Sequence, residues 1–297
     1  MPTSQNRRNA LKSMLVGGTV LASSSSILSS FGAATNKNEF NVKLKGNINH
    51  SVCAWCFNSL SIEELCIAVK KIGFSAIDLV GPKDWPTLKK HDVFSSMCNG
   101  AEINLTDGFA DKNYHTQLIK NYEEMIPMVA KAGYKNLICF SGSRRGMDDE
   151  TGLTNATEAL KKIIGIAEKN NVMLQMELLN SKVNHKDYMC DRTPWGVELC
   201  KRVGSENFKL LYDIYHMQID EGDVIRTIQD NHQYFGHYHT AGVPGRHEID
   251  DQQELNYPAI MRAILATGFK DYVAQEFIPA REDKIASLKE GITICDV

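Results

Sequence analysis

From residue 48 onward the sequence alternates short apolar runs with amphipathic segments, and it does so eight times over. The runs fall at 48–53, 76–80, 97–103, 136–140, 172–178, 208–214, 235–240 and 272–277. Each has the length of a buried strand, and the segments between them carry apolar residues at helical intervals. After the first run, Ser61-Ile62-Glu63-Glu64 has capping-box spacing, and Leu65, Val69 and Ile72 continue a helix until Gly73 stops it. A short helix through Lys90 follows the second run, and further helices are expected over 114–132, 157–169, 193–204, 224–230, 258–266 and 283–294. The helix at 193 opens on Thr193-Pro194, proline being at home in a first helical turn. Strict β/α alternation with no block of strands or helices predicts a parallel sheet. Eight such units in about 250 residues predict a single-domain α/β fold, a closed (β/α)8 TIM barrel rather than an open doubly wound sheet. No Gly-x-Gly-x-x-Gly follows the first run, which removes the main reason to expect a dinucleotide fold.

The chain has 297 residues, and its first part reads differently. Arg7-Arg8-Asn9-Ala10-Leu11-Lys12 precedes a short apolar run over 13–22, a serine tract and Phe31-Gly32-Ala33-Ala34. Paired arginines, a modest apolar run and small residues of a cleavage-site type predict a cleavable twin-arginine-type export signal over residues 1–36, with the barrel occupying 37–297. The product would be periplasmic or exported, and cytoplasmic if the signal does not function. The apolar run is too short and too diluted by Gly and Ser to span a bilayer stably. A net charge of −3 gives no broad basic field for nucleic acid or an anionic membrane. Of the eight cysteines only Cys53 and Cys56 are closely spaced, and they lie before the helix that a redox pair would open, so buried free thiols are expected.

Four consecutive runs in the C-terminal half end on a group able to bind a metal: Glu177, Asp213, His239 and Glu276. Burying a carboxylate at the end of an apolar strand is costly unless a cation or a proton partner waits there. In a (β/α)8 barrel the C-terminal strand ends form the mouth where chemistry takes place, so four neighbouring strands would bring these groups to one point. Solvated strand-end residues are the plainer alternative, but four in succession favour a site. Three carboxylates and one imidazole suit one hard divalent cation, Mn2+ or Mg2+, with Co2+ also admissible. The cation would offset the mutual repulsion of the carboxylates. A substrate chelated through a carbonyl and an adjacent hydroxyl would have its neighbouring C–H acidified. Glu177 and Glu276 could then act as acid and base on either side of an enediolate, giving isomerisation or epimerisation.

His216 lies three residues past Asp213, where the sixth run gives way to a loop, and is expected to contact substrate. His237 shares the face of His239 on the seventh run and suits either an inner-layer or a functional role. Arg246 lies on a loop over the mouth, where an arginine could hold a substrate hydroxyl, carboxylate or oxyanion. On position alone it is a plain surface arginine.

The segments Met176-Glu177-Leu178-Leu179-Asn180, Leu211-Tyr212-Asp213-Ile214-Tyr215-His216-Met217-Gln218, Gly236-His237-Tyr238-His239-Thr240-Ala241-Gly242-Val243-Pro244-Gly245-Arg246-His247-Glu248 and Gln275-Glu276-Phe277 resemble the xylose-isomerase-like barrel superfamily, and within it the hydroxypyruvate isomerase family. The resemblance spans roughly residues 47–297. It implies a divalent metal held by Glu177, Asp213, His239 and Glu276, an acid/base pair of Glu177 and Glu276, and substrate contacts from His216 and Arg246. Members named as hydroxypyruvate isomerases often carry glutamine where this chain has His239, whereas related ketose 3-epimerases carry histidine. The expected activity is therefore isomerisation of a small hydroxy-carbonyl compound or sugar, nominally hydroxypyruvate to tartronate semialdehyde. A ketose 3-epimerase, an inosose-type dehydratase and a non-catalytic exported sugar-binding barrel are the alternatives. The related endonuclease IV branch would want more histidines on the early strands and a basic groove. A small-molecule partner is expected, and an oligomer is left open.

Overall fold

Eight short strands, each paired in parallel with its neighbours, enclose a common interior. The computed structural model describes residues 43–297, so the export segment expected over 1–36 lies outside the described residues. The strands are β1 (Asn49–Val52), β2 (Ala76–Val80), β3 (Phe94–Cys98), β4 (Asn136–Cys139), β5 (Met173–Glu177), β6 (Phe208–Asp213), β7 (Phe235–Thr240) and β8 (Tyr272–Gln275). Around the sheet they run β1-β8-β7-β6-β5-β4-β3-β2, and a single parallel bridge between Cys53 and Asp78 joins β1 to β2. This is the near-closed eight-stranded barrel that the alternation predicted.

Helices α1 (Ile62–Ile72), α2 (Trp85–Lys90), α3 (His115–Ala132), α4 (Asp149–Asn170), α5 (Thr193–Val203), α6 (Ile214–Asp220), α7 (Val224–Asn231), α8 (Tyr257–Ala266) and α9 (Lys284–Cys295) connect the strands. The capping box of α1 is formed as read: the Ser61 hydroxyl accepts from the Glu64 amide, and the Glu64 carboxylate accepts from the Ser61 amide. Gly73 takes φ 115°, a left-handed conformation that needs no Cβ, and closes the helix by donating to the Val69 carbonyl. No helix of the described residues is long and apolar enough to cross a membrane.

Three expectations are corrected. The third strand is Phe94–Cys98, upstream of the expected 97–103. Its Ser95 and Ser96 are fully buried, so polar interior residues hid the true run, and Gly100 at φ +108° ends any continuation. Helix α4 begins at Asp149 rather than 157, because Asp148 caps it by accepting from the Thr151 amide at 2.7 Å. Residues 214–220, expected as strand end and loop, form α6.

The eight cysteines are all free and buried, in agreement with the expectation for Cys53 and Cys56. Burial pushes the thiols up, Cys66 to about 11 and Cys98 to about 12, so they stay protonated at neutral pH.

Candidate active site at the barrel mouth

β5 and β6 deliver Glu177 and Asp213 as their last residues, β7 delivers His239 one residue before its end, and Glu276 follows β8 directly. The register sets Asp213 beside His239, and His239 beside Ala274 on β8. All four side chains are buried, and one ligand atom from each lies within 4.8 Å of the others. The sequence therefore pointed to four groups that the fold does bring together.

Asp213 is held by its own helix. Its Oδ1 accepts from the His216 amide at 3.1 Å, capping α6, while Oδ2 is buried with no hydrogen-bond partner. A buried carboxylate oxygen left without a donor is costly unless something else meets it there. Oδ2 faces Arg246 Nη2 at 3.5 Å and His216 Nε2 at 3.6 Å.

Glu276 is the most heavily supported of the carboxylates. It accepts from Arg246 Nη2 at 2.6 Å and from the indole Nε1 of Trp55 at 2.9 Å, and its Oε2 lies 2.8 Å from His239 Nδ1. Glu177 has one such side-chain contact, His239 Nδ1 at 3.1 Å. The two glutamates consequently differ in acidity. Burial raises both, but at Glu276 the guanidinium of Arg246 and the His239 imidazole outweigh it and hold the carboxyl well below the usual range. At Glu177 burial, reinforced by the neighbouring charge of Glu276, prevails and pushes the group up. Asp213 is pushed up more strongly by the same two influences.

Arg246 is a partly buried member of this site and not a plain surface residue. Its guanidinium lies between the rings of Trp55 and Tyr215, 5.1 and 5.4 Å from their centroids. The residue takes φ +61°, and its backbone is tied on both sides, the amide to the Gly242 carbonyl and the carbonyl to the Ile278 amide.

His216 is fully buried at the same place, and its tautomer can be deduced. The Asn180 Oδ1 accepts from the amides of Val183 and Asn184, so its Nδ2 must be the atom that faces His216 Nδ1 at 2.6 Å. Nδ1 is then the acceptor and Nε2 carries the proton. Burial, helped by the positive charge of Arg246, lowers the ring well below its ordinary value and keeps it neutral. Nε2 is buried without a partner, a donor aimed at the carboxylate cluster.

Above these groups lies a cavity of about 310 Å3. Glu177, Arg246 and Glu276 line it together with the apolar side chains of Leu79, Phe140 and Leu179. A concave apolar space with a few convergent polar groups is the usual form of a small-molecule site.

Several residues here were not singled out from sequence. Trp55 reaches the site from the short 3-10 helix Ala54–Phe57 and Asn180 from a loop, and no spacing rule reports such approaches. Asp78 is different, because a carboxylate in the middle of Ala76-Ile77-Asp78-Leu79-Val80 is as anomalous as the strand-end glutamates. It is fully buried inside the barrel, with Oδ1 at 3.1 Å from His239 Nε2 and Oδ2 at 2.8 Å from His237 Nε2. The Ser96 hydroxyl donates to Oδ2 at 2.6 Å. Burial would raise this carboxyl, but the two histidines outweigh it and hold it well below the usual range. His237, left open between two roles, therefore belongs to the barrel interior beneath the mouth.

The donor set fits a divalent cation on structural grounds. Three carboxylates and an imidazole converge, and Asp213 Oδ2 makes no hydrogen bond, Arg246 Nη2 and His216 Nε2 standing off at 3.5 and 3.6 Å. Glu177, Asp213, His239 through Nδ1, and Glu276 are the groups that would hold it.

A parallel eight-stranded barrel with an acidic, buried constellation at the C-terminal mouth defines a class of barrel enzymes whose site is built on the strand ends. The chain belongs to the xylose isomerase-like TIM barrel family, whose model matches residues 66–294. It is 35% identical over 113 residues to the 2-oxo-tetronate isomerase of Cupriavidus necator, covering 38% of this chain and 43% of that protein. It is 29% identical over 131 residues to the human protein that bears the name "Putative hydroxypyruvate isomerase", covering 44% of this chain and 47% of that protein. The chain thus spans less than half the length of these two curated relatives. Among solved structures, the fold matches that of the AP endonuclease, family 2, from Brucella melitensis with a TM-score of 0.72 and 23% identity, covering 82% of this chain and 97% of that one.

Proposed function

We propose that this protein is a divalent-metal-dependent isomerase of a small α-hydroxycarbonyl compound, nominally interconverting hydroxypyruvate and tartronate semialdehyde, with Glu177 and Glu276 as the acid/base pair. The observation that carries the reading is the convergence of these two buried glutamates on one imidazole nitrogen, His239 Nδ1, from separate strands. The isomerase names of the relatives support the reaction class. A bound Mn2+ or Mg2+ would polarise the substrate carbonyl and acidify the adjacent C–H.

The residues of the chain then divide the work. Glu276, with donors from Arg246 and Trp55, is kept as a carboxylate and suits the base that takes the carbon-bound proton. Glu177, on the other side of His239, returns a proton to the neighbouring carbon. His216 Nε2–H donates to a substrate oxygen, and Arg246 steadies the charge that develops on the other. In the nominal reaction one proton leaves C3 and one arrives at C2, while the hydroxyl proton passes to the former carbonyl oxygen. Nothing is oxidised or reduced overall. The leading segment with Arg7-Arg8 supports export of the folded, metal-loaded chain to the periplasm.

A ketose 3-epimerase is the second reading, favoured by His239 standing where related epimerases carry histidine. The same two glutamates would then take and return a proton on opposite faces of one carbon. Product analysis by 13C NMR, with Mn2+-loaded protein and a panel of hydroxypyruvate, tartronate semialdehyde and ketoses, separates them. The proposal expects a product whose carbonyl has moved. An inverted C3 with the carbonyl in place establishes the epimerase, loss of water a dehydratase. Binding with no turnover of any compound would establish a sugar-binding barrel and overturn the isomerase.

A further inference from the structure

β2 is distorted at the point where it supplies Asp78. Its pairing with β3 shifts register on either side of Asp78, and Leu79 takes φ +56°, a left-handed conformation that a leucine adopts only at a cost. Strain of this kind persists where surrounding structure holds it, and it collects at functional sites. Here its effect is visible. The irregularity lets Asp78 enter the barrel interior while the next residue, Leu79, lines the cavity at the mouth. The same residue makes the one bridge that joins β1 to β2.

Inside the barrel, Asp78 meets the far edge of the His239 ring. Oδ1 lies 3.1 Å from Nε2, whereas Nδ1, on the opposite edge, faces Glu177 and Glu276. The other oxygen of Asp78 is engaged by the Ser96 hydroxyl and lies against His237. A carboxylate has no proton to give at neutral pH, so its partner must be a donor, and Nε2 must carry hydrogen. By the same rule Nδ1 carries hydrogen while only Glu177 and Glu276 face it; a cation bound there would take the place of that hydrogen, leaving hydrogen on Nε2 and the lone pair on Nδ1. That is the only tautomer of His239 able to ligate a cation among Glu177, Asp213 and Glu276.

From this geometry we infer that Asp78 is a positioning residue: it fixes the Nε2–H tautomer and ring orientation of His239, and so prepares Nδ1 as a metal ligand. The inference rests on the metal-site reading given above but assigns a residue outside the four ligands. The Cys53 thiol, 3.7 Å from Asp78 Oδ1 and 3.8 Å from His239 Nε2, offers a competing use of the same atoms, a second cation held by Cys53, Asp78 and Nε2. The 3.1 Å separation of Nε2 and Oδ1 is that of a direct hydrogen bond, and it favours the positioning role.

Asp78→Asn keeps the shape of the side chain and can present an NH2 group to Nε2, which stabilises the wrong tautomer. Mn2+ affinity of the full chain, titrated by electron paramagnetic resonance, is expected to fall about 10–100-fold. With Mg2+ bound, long-range 1H–15N NMR of His239 is expected to show hydrogen on Nε2 in the wild type and a shift toward the Nδ1–H form in the variant. Should Asp78→Asn not fold, the wild-type Nε2–H proton still tests the contact: a hydrogen bond to the Asp78 carboxylate is expected to shift it downfield, and an Nε2–H without that shift overturns the inference. Hydrogen on Nδ1 in the wild type overturns the inference. So does a folded Asp78→Asn protein with wild-type Mn2+ affinity and an unchanged ring spectrum. Two ions per chain, one of them lost in Cys53→Ser, assign Asp78 to a second metal and also overturn it. A wild type that binds no divalent cation removes the metal-site reading itself, an outcome distinct from all of these.

Discussion

Glu276→Gln is expected to reduce kcat by roughly 10²–10⁴-fold, the usual worth of a positioned general base, while the protein still binds its metal. The substitution keeps the volume and one oxygen for a cation but removes the second oxygen's ability to accept a proton. Trp55 and Arg246 now donate to that carboxylate, so the amide must also leave one of these donors facing an NH2 group. Glu177→Gln is expected to cause a loss of the same order, because a reaction that moves a proton from one carbon to the next needs both ends of the pair. Steady-state kinetics together with metal content per chain check both variants. Full metal with near wild-type kcat in either one would remove that glutamate from the proton path. Loss of turnover accompanied by loss of metal would show it acting mainly as a ligand.

The second large effect is expected on stability. Three buried carboxylates repel one another, and a cation that binds only the folded chain stabilises it by about 2.7 kcal/mol at a hundredfold excess over Kd. For a domain of this size that corresponds to a rise in Tm of roughly 5 °C. Mn2+ added to metal-stripped protein should produce this rise in a calorimetric scan, and a chelator should reverse it. Asp213→Ala should abolish the rise by removing Oδ2, the oxygen that makes no hydrogen bond within the protein. The same change removes the cap of α6, so the metal-free variant should also be less stable by about 1 kcal/mol. An undiminished metal-induced shift in Asp213→Ala would exclude Asp213 from the ligand set.

The fold was legible because most strands announce themselves as apolar runs bounded by capped helices. β3 escaped in part because Ser95 and Ser96 are buried in the barrel, where a polar residue interrupts the pattern on which the reading depends. α6 escaped for a related reason. Asp213 is both the last strand residue and the cap of the next helix, so the apolar run continues through Ile214 and Tyr215 without a break.

At the site, Glu177, Asp213, His239 and Glu276 could be read because cost of burial and strand position coincide for them. His216 and Arg246 were placed near the mouth, but the partners that fix them, Asn180 for one and Trp55 with Tyr215 for the other, come from tertiary approach. Asp78 was legible in principle by the same burial argument, since it interrupts an apolar strand. Its place in mid-strand, away from the mouth, kept it apart from the strand-end residues.

The proposed reaction has Glu177 and Glu276 move a proton on a substrate held at this mouth. Incubation of the Mn2+-loaded protein with hydroxypyruvate, tartronate semialdehyde and a set of ketoses in deuterated water tests it most directly. The prediction is deuterium at the carbon next to the carbonyl in at least one substrate or product, with the exchange lost in Glu177→Gln and Glu276→Gln. Metal-loaded protein that exchanges no carbon-bound hydrogen in any of them, or whose exchange persists in both variants, would contradict it.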